Sequence, residues 1–184
     1  GLGRPQAKGA MERTGATQRR RAMAVAGMDD SGSATEGVTL VIAPPAVVGN
    51  WAAEANRFTP GLSVVVHHGA SRATARELAA EVAGADLVIT TYGTAVRDID
   101  ALAEYQWGRI VLDEAQAIKN PASETAQQLR RLSARRRLAL TGTPIENGLG
   151  DLWALLDFTN PGLMGPRAAF VNQLSGESRS TRDG

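Results

Sequence analysis

From Val38 onward, short apolar runs alternate with longer segments in which apolar residues recur three and four positions apart. The runs are Val38 to Ala43, Leu62 to Val66, Asp86 to Thr90, Arg109 to Leu112 and Arg137 to Leu140. They are short and mostly β-branched, which predicts strands. Between them lie Val47 to Phe58, Arg72 to Val82, Thr94 to Glu104 and Ala122 to Leu132, with Leu149 to Phe158 after the last run. Their length and 3.6-residue periodicity predict amphipathic helices. Strands apolar on both faces that alternate with helices of crossover length imply an α/β fold, a parallel sheet with helices on both faces. Residues 1–37 differ: they are rich in Gly, Ala and Arg and carry no sustained apolar period, so they read as poorly ordered. Beyond Phe170 the chain turns polar and rich in Gly, Ser and Arg, which makes 166–184 a tail.

Composition narrows the picture slightly. With 184 residues, 43% of them hydrophobic, the chain can bury one core of its own. No apolar run reaches the roughly 18 residues that span a bilayer, and no basic-then-apolar leader opens the chain, so the expectation is a cytoplasmic protein without membrane contact, nucleoid-associated if bacterial. The absence of cysteine removes disulfides and thiolate zinc sites. A net charge of +1 is too small to attract nucleic acid through a global field, so any such contact must come from local groups. His67 and His68 lack a third ligand at metal spacing. The basic run at Arg130, Arg131 and Arg135 to Arg137 reads as a solvated face.

Candidate chemistry follows from the sheet. Ligands of parallel sheets sit at the carboxyl ends of the strands. The fourth run ends in Asp113 and Glu114, so two carboxylates leave one strand together. One can hold a hydrated Mg²⁺ while its neighbour polarises a water against a γ-phosphate; a solvated strand end is the alternative. The fifth run ends in Thr141, Gly142 and Thr143, two hydroxyls around a glycine that permits close backbone approach; a plain turn is the alternative there.

These segments together resemble one family. Asp113-Glu114-Ala115-Gln116, followed by Ile118-Lys119-Asn120, is similar to motif II of the Swi/Snf-type translocases of helicase superfamily two. Leu140-Thr141-Gly142-Thr143-Pro144-Ile145-Glu146-Asn147 resembles their motif III, and Asp151 to Phe158 with Asn160-Pro161-Gly162-Leu163 resembles the helix and turn that close the first lobe. Upstream, Leu40 to Pro44 through Asn50-Trp51 resembles motif Ia, His67-His68-Gly69 the strand end beyond it, and Ile89 to Tyr92 motif Ib. The resemblance covers residues 38–165 and implies a RecA-like, P-loop NTPase-type ATP-binding lobe, single and incomplete.

It further implies ATP and Mg²⁺ as cofactors, with Asp113 in the metal shell and Glu114 activating water. Thr141 and Thr143 would couple nucleotide state to a double-stranded DNA track read without sequence preference. Pro44, Asn50, Thr90, Thr91 and Tyr92 would face the phosphates. Trp51 has two readings, base platform or core; its spacing from Val47, Val48, Ala55 and Phe58 favours core. The family's phosphate loop reads Gly-Leu-Gly-Lys-Thr, whereas this chain has Gly1-Leu2-Gly3 and then Arg4-Pro5. Gly1 and Gly3 keep the nucleotide-loop positions, but proline offers neither an N–H nor a hydroxyl, and arginine is not a lysine point charge. No second RecA-like lobe follows, so the resemblance implies a fragment that lacks the other wall of the ATP cleft. Two functions are compatible with this: the ATP-binding lobe of a DNA-dependent ATPase, or a non-catalytic remnant that keeps the fold as an interaction module. Residues 4–37 have the length of the expected helix and loop without its apolar pattern, which suggests a stretch read in the wrong frame.

Overall fold

A computed structural model describes residues 37–143, 145, 146 and 148–180, with side chains described as far as residue 176. Five strands form one all-parallel sheet: β1 (Thr39–Ala43), β2 (Val64–His67), β3 (Leu87–Thr91), β4 (Gln106–Leu112) and β5 (Ser133–Ala139), in the order β2-β3-β1-β4-β5. The first described strand therefore lies at the centre. Leu40 sits between Val88 of β3 and Ile110 of β4. All five residues of β1 and of β3 are buried, as two-sided packing requires.

Alternation across the pleat divides the core into two layers. Leu40 and Ile42 point to one face with Val88, Ile110 and Leu112. That face is covered by α2 (Ala75–Ala83), α3 (Tyr92–Arg97), α4 (Ile99–Ala103), α5 (Glu124–Leu129) and α6 (Leu149–Thr159), through Leu78, Ala95, Leu102, Leu129 and Phe158 among others. Val41, Ala43, Ile89 and Val111 point to the other, where α1 (Pro45–Phe58) lays Val48, Trp51 and Ala55 against them. Each of the larger apolar side chains among these, removed from water, contributes about 1.5–3 kcal/mol. Among the described residues no helix is long and apolar enough to cross a membrane.

The expected elements are present, with instructive shifts. The helix expected over Thr94 to Glu104 is two helices that meet at Asp98, which caps the end of α3 and the start of α4. Its carboxylate is occupied by the Arg72 guanidinium and by His67 Nε2 at 2.8 Å. Arg72 is thereby drawn out of the helix expected to begin with it; α2 starts at Ala75 behind a capping box of Thr74 and Glu77. β5 begins at Ser133 and not at Arg137, because pairing with β4 extends through Gln106↔Ser133 and Trp107↔Ala134. It is also not apolar on both faces: it is the last strand of the sheet among the described residues, and its Arg135 and Arg136 are exposed. Where a tail was expected, α7 runs over Arg167–Ser180. Residues 1–36, with the Gly1 and Gly3 positions and nearly all of the stretch read as out of frame, lie outside the described residues, as do Pro144 and Asn147.

Candidate functional site

The sheet's carboxyl edge gathers the site, because every strand of a parallel sheet delivers its last residue to the same side. β4 ends at Leu112 and the next two residues are Asp113 and Glu114. Asp113 remains buried, 6% exposed, whereas Glu114 is exposed. The peptide turns sharply between them: Glu114 has φ 50°, the only positive φ at a non-glycine among the described residues. A left-handed conformation costs a residue with a Cβ about 1–2 kcal/mol. The turn leaves one carboxylate facing into the protein and the next facing out, and Ala115–Ile118 then forms a 3-10 turn.

Asp113 is held from several directions. Its N–H donates to Ile42 O of β1 at 2.8 Å. Its Oδ1 accepts the Glu114 N–H at 3.0 Å and its Oδ2 accepts the Trp51 indole Nε1–H at 2.8 Å. The Tyr92 hydroxyl donates to its main-chain carbonyl at 2.7 Å. Burial, reinforced by the Asp113 and Glu114 charges, pushes the Tyr92 phenol far above its ordinary range, so it stays a donor at any physiological pH. Glu114 Oε2 accepts from Gln116 Nε2 at 2.8 Å. Across from the pair, Leu140 N–H bonds Leu112 O at 2.8 Å and Ala115 N–H bonds Leu140 O at 2.9 Å, which brings the end of β5 alongside. Thr141 donates to Gln116 Oε1 at 3.3 Å and accepts the Thr143 N–H at 3.2 Å. Asp113, Glu114, Ala139, Leu140, Thr141 and Gly142 line one hollow of about 460 Å³.

Other expected residues fall elsewhere on this edge. Pro44 is half-buried and precedes α1, with Pro45 at the first helical turn; Asn50 is exposed on α1. Thr90 and Thr91 are buried and their hydroxyls are already engaged, Thr90 with His67 O at 2.8 Å and Thr91 as the cap of α3 and partner of Thr94. They shape the segment and do not present hydroxyls to solvent. His68 Nδ1 lies 3.3 Å from Thr94 Oγ1. No cluster of three or more His, Asp or Glu that could hold a metal by itself occurs among the described residues. A hydrated cation suits the carboxylates nonetheless. Asp113 is a hard oxygen donor, and Glu114 opens to solvent beside it.

Sequence reasoning missed several participants. Trp51 is a core residue, 7% exposed, yet its N–H goes to Asp113; the available signal was that a buried indole must find a partner. Gln116 bridges Glu114 and Thr141. Lys119, buried, reaches Glu146 at 3.2 Å and Asp151 at 3.6 Å, and Asp151 accepts the Glu146 N–H at 3.1 Å. These bonds tie the segment after Glu114 to the segment after Thr143, a pairing across 27 residues that no local pattern announces.

Comparison with known proteins decides the family. A model described as the SNF2-related domain matches residues 8–184. The chain belongs to the SNF2-related family. The match includes residues 8–37 and the segment of α7, both of which the apolar pattern had set apart. Among relatives, the putative ATP-dependent helicase/translocase YwqA of Bacillus subtilis is 42% identical over 131 residues, 71% of this chain and 14% of that protein. The ISWI chromatin-remodeling complex ATPase ISW1 of Saccharomyces cerevisiae is 38% identical over 144 residues, 77% of this chain and 13% of that protein. Among solved structures, the Sulfolobus solfataricus SWI2/SNF2 ATPase core in complex with dsDNA superposes with a TM-score of 0.63 at 40% identity, over 72% of this chain and 27% of that one. This SNF2-related chain thus spans about a quarter or less of the length of those relatives, and its five-stranded parallel sheet is that of a RecA-like ATPase core.

Proposed function

We propose that residues 38–165 form the first RecA-like lobe of an ATP-dependent motor that tracks along double-stranded DNA, with Asp113 and Glu114 as its hydrolytic carboxylates. The observation that carries this is the divergence of the two side chains at one strand tip: a fixed, buried Asp113 and an exposed Glu114, with Thr141 across a shared hollow. Asp113 would hold hydrated Mg²⁺, which when bound neutralises charge on the phosphates. Glu114 accepts a proton from the attacking water, and the Gln116 amide that donates to its Oε2 keeps the other oxygen directed at the hollow. Thr141 bonds Gln116 and accepts the Thr143 N–H, so a shift of Thr141 reaches Glu114 through the Gln116 side chain, and a shift of Thr143 reaches it through Thr141.

The DNA side is the same sheet edge near β1 and β3. Exposed Asn50, Pro44 at the start of α1, and the main chain around Thr90 to Tyr92 offer contacts suited to a phosphate backbone and unsuited to reading bases. Affinity from so few phosphate contacts is weak, indifferent to sequence and strongly reduced by salt. A relative of 40% identity was solved as an ATPase core with dsDNA, which supports duplex as the track. A second RecA-like lobe is the partner that would close the ATP cleft, and the matching compartment is the cytoplasm, with the nucleoid as its place if the source is bacterial.

Arg4 and Pro5, where the family has lysine and threonine, favour a second statement: the chain alone binds nucleotide poorly and does not turn it over. The test is a chimera in which residues 38–165 replace the matched segment of the Sulfolobus ATPase core. Duplex-stimulated phosphate release supports the assignment. A folded chimera that binds duplex and nucleotide yet releases no phosphate refutes the roles given to Asp113 and Glu114.

A further inference from the structure

The two segments read as DNA-facing both end on Asp113. Trp51 follows Asn50 directly on α1, and its indole Nε1–H donates to Asp113 Oδ2 at 2.8 Å. Tyr92 follows Thr91 at the end of β3, and its hydroxyl donates to Asp113 O at 2.7 Å. We propose that Trp51 and Tyr92 are positioning residues through which duplex DNA, seated on residues 44–51 and 90–92, sets the orientation of the Asp113 carboxylate and so its affinity for a divalent cation. This rests on the reading of Asp113 as a metal carboxylate and of those segments as DNA-facing.

The chemistry favours a positioning role over packing alone. Trp51 is 7% exposed, so it cannot itself stack on a base, and packing could be served by phenylalanine. Its single N–H is spent on the carboxylate. An indole donor on a carboxylate oxygen leaves the group anionic and a hard oxygen ligand, the type that a hydrated cation takes. The bond to Oδ1 comes from the neighbouring Glu114 N–H and moves with the strand tip. The bond to Oδ2 comes from α1 and moves with that helix. A helix transmits a displacement of its first turn as a rigid body, so a phosphate that draws on the start of α1 pulls on Oδ2 against the Glu114 bond at Oδ1, and the planar carboxylate turns as a whole. Tyr92 acts on the main chain of the same residue, fixing the carbonyl at which the chain swings from Asp113 into the strained Glu114.

The geometry is checked first on the whole chain by two-dimensional ¹⁵N–¹H NMR of its indoles. Trp107 donates to Leu102 O and Trp153 to Gly165 O, so Asp113→Asn should move the Trp51 signal and leave those two in place. Coupling is then measured with Mn²⁺ as the probe cation and a short duplex of arbitrary sequence, each titrated with and without the other. In the unsubstituted chain duplex should tighten Mn²⁺ about fivefold, and Mn²⁺ should tighten duplex by the same factor. Trp51→Phe and Tyr92→Phe, which keep the shape and remove the donor, should each cut that factor below about twofold. A merely structural role would lower the melting temperature and leave the factor intact. A factor of one in the unsubstituted chain, a factor that survives both substitutions, or a Trp51 signal indifferent to Asp113→Asn overturns the proposal while the site assignment stands. Mn²⁺ binding that ignores Asp113→Asn, or no duplex binding at all, overturns the site assignment and this proposal with it.

Discussion

The tips of β4 and β5 lie side by side on one sheet edge and are built in opposite ways. At β4, Asp113 is buried and receives the Trp51, Glu114 and Tyr92 donors. At β5, Thr143 and Glu146 are exposed and Thr141 is half-buried, its hydroxyl facing one exposed glutamine at 3.3 Å. Burial sets the difference: β4 is an inner strand between β1 and β5, while β5 is the last strand of the described sheet. A site that must both hold a cation and respond to it gains from this division. The carboxylate changes only with the elements that donate to it, whereas the hydroxyl segment, with few buried contacts to lose, can change at low cost.

The contrast breaks most visibly at Glu114. In the chimera, Glu114→Gln should lower ATP turnover roughly hundred- to ten-thousand-fold while nucleotide binding persists, since the base is lost and Asp113 is not. Equal loss of binding and turnover, measured by phosphate release beside a fluorescent-nucleotide titration, would show that the two carboxylates do not divide the work. A smaller effect of opposite sign is expected in stability. Glu114→Gly relieves the left-handed residue and should raise the unfolding free energy of the chain by about 1 kcal/mol in urea melts, even as it removes the base. Unchanged or lowered stability would mean that the turn at Glu114 stores no strain. At the β5 tip, Thr141→Ala removes two long hydrogen bonds, to Gln116 and from the Thr143 N–H, and should lower stability by less than about 1 kcal/mol. A larger loss would place the β5 tip in the fixed half of the site.

Much of this was legible in the chain because it is local. The Leu-Val-Ile runs of β1 and β3 are buried on both sides and read as strands, and Asp113-Glu114 follows its strand directly. What escaped is long-range or electrostatic. The break at Asp98 needs Arg72 and His67 from other elements. The start of β5 is set by its register with Trp107 and is masked in sequence by arginines; Arg137 is half-buried there because its guanidinium reaches the carbonyls of Leu132 and Phe158. The Trp51 bond joins residues 62 positions apart, so the chain announces a buried indole but not its acceptor. The helix at Arg167–Ser180 carries too few apolar residues for periodicity to reveal.

The central place of β1 has a consequence for how the chain folds. Thr39 to Ala43 leaves the ribosome before either of its neighbours, and its fully apolar face pairs stay open until Val88 of β3 and Ile110 of β4 have been made. During that interval α1 can shelter one side of the strand, but both of its hydrogen-bonding edges face water and any other extended chain. Contacts of such sequence separation form slowly. A chain that ends before Val88 therefore leaves both edges of β1 open, and such incomplete chains are expected to aggregate more readily than the folded protein.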